Sequence, residues 1–148
     1  MSEKKLEGAG LRGQVAGKTS LSTVGKAGKG LTYRGYPIEV LSEKAKFEEV
    51  AYLLMYGSLP NKDEYENYSS KLISMRSLPN PILEVLERIP ASAHPMDVMR
   101  TGCSMLGNIE PEGEFSNQQE SADRILATMA SIIAVSYTHL TLPTILLV

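Results

Sequence analysis

The sequence predicts an all-α, mainly helical fold led by a small N-terminal β-hairpin, and three features carry that expectation. From Ile38 onward, apolar residues recur at three- and four-residue spacing, the period of a helix face rather than of a strand. Prolines and glycines cut that pattern into helix-length pieces at Gly57, Pro60, Pro79, Pro90, Pro95 and Gly107. Ahead of it, two short β-prone runs flank a glycine-rich stretch. A chain of 148 residues, 43% apolar and 22% charged, is ordinary for a folded globular domain, and neither a repeat nor a domain-scale linker interrupts it.

Residues 19–24 and 31–33 are the hairpin arms, and the glycines between them permit the positive φ of a turn. After Pro37, Ile38, Leu41 and Ala45 share one helical face. Phe47, Val50, Ala51, Leu54 and Met55 form the stripe of a second helix, which Gly57 stops and Pro60 bars from continuing. Asn61 caps the third helix, with Asp63 and Glu64 at the positive end of its dipole and Lys71 and Arg76 in the last turn. Asn80 caps the fourth, Pro81 takes its first position, and Ile82, Val85, Leu86 and Ile89 face inward. The fifth runs from Pro95 to Gly107 with Met96, Met99, Cys103 and Leu106 inward. A polar loop at 108–116 leads to the last helix, 117–134, whose inward residues are Ile125, Leu126, Met129, Ile132 and Ile133. Several of these stripes are wide enough to call for neighbours beyond this chain.

Charge and composition narrow the function. A net charge of -2 supplies no basic field, so neither nucleic acid nor an anionic membrane surface is an expected partner. Cys103 is the sole cysteine, which excludes an intrachain disulfide and a cysteine-rich metal cage, and its apolar surroundings mark it as a buried small hydrophobe. Residues 1–13 are charged and glycine-rich without the apolar segment of a secretory signal, so a cytoplasmic location is expected. The apolar stretch 132–148 is interrupted by Ser136, Thr138, His139, Thr141 and Pro143 and is too short for a comfortable membrane span.

Few motifs survive a physical test. Residues 13–19 imitate a phosphate-binding loop, but three residues separate Gly13 from Gly17 where the nucleotide cradle needs four. His94 and His139 are the only histidines and form no metal or hydrolase pattern. His94, just before Pro95, reads as a structural residue whose ring nitrogen bonds backbone groups at a helix start, and Asp97 as a complement to the dipole. Arg34 and Arg100 stand in apolar or small-residue surroundings and are tentative substrate-binding residues, because guanidinium groups pair bidentately with carboxylates. The competing reading for both is an internal salt bridge to Glu48, Glu49 or Asp97. Lys71 and Arg76 read as solvated charges. Nothing calls for a metal or a tightly bound cofactor.

Three stretches go further: Thr23-Val24-Gly25-Lys26 through Tyr33-Arg34-Gly35-Tyr36; Phe47-Glu48-Glu49-Val50-Ala51-Tyr52-Leu53-Leu54 with Gly57 and Leu59-Pro60; and His94-Pro95-Met96-Asp97-Val98-Met99-Arg100-Thr101-Gly102. Their order and spacing resemble the start of the 2-methylcitrate synthase and citrate synthase family, over nearly all of residues 13–134. The resemblance implies a helical fold with a large and a small domain, a homodimer, and condensation of propionyl-CoA or acetyl-CoA with oxaloacetate to give 2-methylcitrate or citrate and CoA. The CoA thioester is then a co-substrate, not a cofactor. It also implies that the catalytic histidines and aspartate belong to a later part of the family's sequence, so this chain carries no catalytic residue and is an inactive N-terminal fragment of the large domain, residues 1–134. Residues 135–144 are similar, codon by codon, to a transposase-type sequencing adapter read in frame, which marks 135–148 as a non-native tail. From a different class, a non-catalytic helical dimerisation or interaction module is the alternative.

Overall fold

The computed structural model describes the backbone of residues 17–24 and 30–145 and side chains as far as residue 137. The expectations for residues 1–13, for most of the phosphate-loop look-alike, for the turn at 25–29 and for His139 lie outside the described residues. The chain forms two compact units, Met1–Leu59 and Pro60–Val148.

In the first unit, strands β1 (Ser22–Thr23) and β2 (Thr32–Tyr33) pair antiparallel, Ser22 opposite Tyr33 and Thr23 opposite Thr32, which gives the expected hairpin. A third strand, β3 (Tyr36–Pro37), pairs with β2 and was not expected. Its cause is the two-residue turn Arg34-Gly35, both at positive φ (50° and 92°), the backbone that a tight hairpin turn demands. The Arg34 N–H donates to the Leu21 carbonyl at 2.8 Å and the Ile38 N–H to the Leu31 carbonyl at 3.0 Å, so the meander leads directly into helix α1 (Ile38–Lys44). Helix α2 (Phe47–Tyr56) ends, as expected, on Gly57 in the left-handed conformation at φ 95°, with the Gly57 N–H on the Leu53 carbonyl. Leu41, Ala51 and Leu53 are buried, whereas Phe47, expected inward, is 66% exposed at the first position of its helix. Ala51 and Leu53 lie two residues apart, so α2 is covered from two directions rather than along one stripe.

The second unit is helical. Helix α3 (Lys62–Ser74) begins with a reciprocal capping box: the Asn61 side chain accepts from the Glu64 N–H at 2.9 Å, and the Glu64 carboxylate accepts from the Asn61 N–H at 2.8 Å. Arg76 lies beyond its end rather than in its last turn. Helix α4 (Asn80–Glu87) starts one residue earlier than expected, with Pro79 at the cap position and Pro81 in the first turn. Helix α5 (Pro95–Ile109) continues past Gly107 and buries Val98, Gly102 and Leu106, while Met96 is 62% exposed. A 3-10 turn (Phe115–Asn117) then opens the long helix α6 (Gln118–Ile145), which passes Ala134 without a break. The buried positions of α6 include Asp123, Ala127, Thr128, Ile132 and Ser136, and the expected inward residues Ile125 and Ile133 are 39% and 37% exposed. Polar groups on the inner face explain the misplaced stripe.

Helix α6 packs against α3, α4 and α5, and the core between α4, α5 and α6 is Ile82, Leu86, Val98, Leu106 and Ile132. The α5 to α6 contact turns on a missing side chain. A Cβ built on Gly102 would lie 2.7 Å from Ile132 Cγ2 and 3.0 Å from its Cδ1, and Ile132 is fully buried. Glycine thus lets α6 approach more closely than alanine would.

Two polar anchors complete the unit. Asp123 is fully buried; Tyr68 donates its hydroxyl to Oδ1 at 2.8 Å, and Lys71 Nζ lies 2.6 Å from Oδ2, so Lys71 is not the solvated charge expected of it. Arg124 grips Glu110 bidentately, Nε to Oε2 at 2.8 Å and Nη2 to Oε1 at 2.7 Å, and its Nη1 donates to the carbonyls of Met75 and of Ser77, the latter at 3.0 Å. That one guanidinium joins the end of α3, the end of α5 and the body of α6. Its hydrogen bonds hold the Glu110 carboxyl below its ordinary pKa, and burial opposes them only partly.

Two outcomes are expected. Gly102→Ala gains about 1 kcal/mol of helix propensity but overpacks Ile132 at about 1–3 kcal/mol, so it destabilises. In an Ile132→Ala background that penalty vanishes, and Gly107→Ala, with nothing within 4 Å of the added Cβ, is stabilising; denaturant midpoints of the four variants measure both statements. Because folding lowers the Glu110 pKa, its contribution is complete above the ordinary carboxylate value and disappears as pH falls through the lowered folded value. Glu110→Gln therefore costs about 1 kcal/mol at neutral pH, reduced by the partial exposure of the pair, and nothing in strong acid. Melting temperatures across that range give the curve, and a constant difference at every pH would contradict the assignment.

Candidate functional site

Arg34 sits in the β2 to β3 turn of the first unit. Its Nη1 donates to Ser20 Oγ at 2.8 Å and its Nη2 to the Leu54 carbonyl at 3.0 Å, so it bonds a hydroxyl and a helix-end carbonyl rather than Glu48 or Glu49. Its Nε is buried and has no partner among the described residues.

Arg100 and His94 belong to the second unit. Arg100 pairs with Asp97 one turn earlier on α5, 3.1 Å away, and both side chains are largely exposed. An exposed pair of this kind is worth less than about 1 kcal/mol, so an arriving anion can compete with Asp97 for the guanidinium. Arg100 also borders a shallow depression of about 390 Å³ with Val85, Thr101 and Ser104. His94 is the N-cap of α5, and its Nδ1 accepts from the Met96 N–H at 3.2 Å, a bond that requires Nδ1 to be unprotonated.

The larger concavity went unmarked in the sequence. An open cleft of about 870 Å³ lies between the end of α3, the C-terminal half of α5 and the start of α6. Met75, Leu106 and Ile125 give it an apolar floor, Cys103 is part of its wall, and Glu110, Glu112 and Glu120 line it with carboxylates. Cys103 is half-buried, more open than expected. Arg124 also faces the cleft, but four of its five N–H bonds are already committed to Glu110, Met75 and Ser77. The cleft therefore offers an apolar surface with an acidic edge rather than an anion clamp. Arg124, Glu110 and Asp123 went unmarked in the sequence; their partners lie 14 to 55 residues away, and no local spacing announces them. Among the described residues no group of three or more His, Cys, Asp and Glu side chains could hold a metal ion, and no helix is long and apolar enough to cross a membrane.

Comparison with known proteins agrees with this helical architecture. The family model described as citrate synthase, C-terminal domain, matches residues 10–144. The chain is 63% identical over 134 residues to 2-methylcitrate synthase of Shewanella oneidensis, covering 90% of this chain and 36% of that protein. It is 37% identical over 127 residues to 2-methylcitrate synthase of Mycobacterium tuberculosis, covering 85% of this chain and 32% of the other. Among solved structures, citrate synthase of Thermotoga maritima superposes with a TM-score of 0.78 at 32% identity, over 89% of this chain and 34% of that one. The chain spans about a third of the length of these relatives. With its family match covering residues 10–144, the chain belongs to the citrate synthase family.

Proposed function

We propose that this chain is the N-terminal part of a 2-methylcitrate synthase, whose full-length form condenses propionyl-CoA with oxaloacetate to give 2-methylcitrate and CoA. The observation that carries the reading is the 63% identity with a 2-methylcitrate synthase, against 32% with the Thermotoga citrate synthase. The reaction needs a carboxylate to take the α-proton of the acyl group and hydrogen-bond donors for the enol and for the ketone of oxaloacetate. Asp123 and Glu110 are tied to cations, and His94 is bonded to a helix start. These residues are occupied in holding the fold, and we read the reacting groups as belonging to the remainder of the enzyme and the present chain as inactive alone. Arg34 and Arg100 are its candidates for contact with an anionic substrate, and Arg100 has the weaker prior attachment.

The full-length enzyme is read as a cytoplasmic homodimer that uses CoA thioester and oxaloacetate as substrates. Residues 1–134 are read as part of its large domain and 135–148 as adapter-derived. The family match reaches residue 144, beyond that boundary, so the codons at the genomic locus decide the point: adapter codons present there would remove the artefact reading.

The test of function is CoA release from propionyl-CoA and acetyl-CoA, each with oxaloacetate, by the full-length protein. Turnover is expected to favour propionyl-CoA by about 10- to 200-fold in kcat/KM, the range that one methylene is worth, and the 148-residue chain is expected to release none. A preference for acetyl-CoA moves the assignment to citrate synthase. No release with either thioester rejects the enzyme.

A further inference from the structure

We draw no further inference here: the strongest candidate, the exposed polar stripe of Arg100, Ser104 and Asn108 along α5 beside the shallow depression at Val85 and Met105, carries nothing because nothing in the structure shows what covers it.

Discussion

The second unit depends on a carboxylate placed where water cannot reach it. Asp123 lies on the inner face of α6 with no exposed surface, and an ionised group there is tolerable only if its oxygens are engaged. Tyr68 and Lys71, three residues apart on α3, bond one oxygen each. Their spacing places both donors on one side of α3, so they meet Asp123 only when that side faces α6. Such a pair adds little over a well-packed apolar substitute, yet removing one partner costs about 3–5 kcal/mol when both are buried, and less here because Lys71 is half-exposed. Its effect is therefore selective: it penalises every other rotation of α3 about α6.

With α3 fixed, the neighbouring residue continues the work. Arg124 follows Asp123 by one position and points to the end of α3, where helix carbonyls are left without intrahelical donors. Its bond to the Met75 carbonyl supplies a donor at the cap of α3, its bond to Ser77 holds the chain just beyond, and its bidentate grip on Glu110 brings in the residue that follows α5. Farther along α6, Ile132 enters the gap that Gly102 leaves in α5. One helix thus meets its neighbours through a buried ion pair, a guanidinium bridge and a glycine notch. The cleft is the space these contacts leave between the ends of α3 and α5.

What was legible in the sequence was local. Asn61 announced a helix cap, Gly57 a helix stop, and the β-prone runs a hairpin, because each is settled by residues within a few positions of one another. What failed was the choice of helix face. On α6, Ile132 is buried and Met129 packs on the core as expected, but Ile125 and Ile133 are not inward, and the buried positions include Asp123, Thr128 and Ser136, polar residues that an apolar count passes over. Thr128 satisfies its hydroxyl on the Arg124 carbonyl one turn back, so even this polar position is compatible with burial. On α5, Gly102 carries no apolar signal although the core closes over it. The strand at Tyr36–Pro37 was not expected, because a two-residue strand carries no alternation to read and the turn before it rests on the positive φ of Arg34 and Gly35. Of the candidate site residues, the end-of-helix position of His94 was readable from Pro95, whereas the cleft was not readable at all, since its walls are joined by pairs tens of residues apart.

Arg34, a tentative substrate-binding residue in the sequence, also ties together parts of its own unit. An arginine at φ 50° carries a backbone cost of order 1–3 kcal/mol that glycine or asparagine would largely avoid, so its side chain must return something. Within the first unit it does: one nitrogen reaches Ser20 beside β1 and another the Leu54 carbonyl near the end of α2, joining the sheet to the helix. A charged donor to a neutral acceptor contributes about 1.5–3 kcal/mol, comparable with the strain, so the turn persists without any ligand. Arg100 is the opposite case. Its bond to Asp97 is exposed and weak, and among the described residues its guanidinium has no other ion pair. Of the two arginines, Arg100 is the one its surroundings hold less firmly.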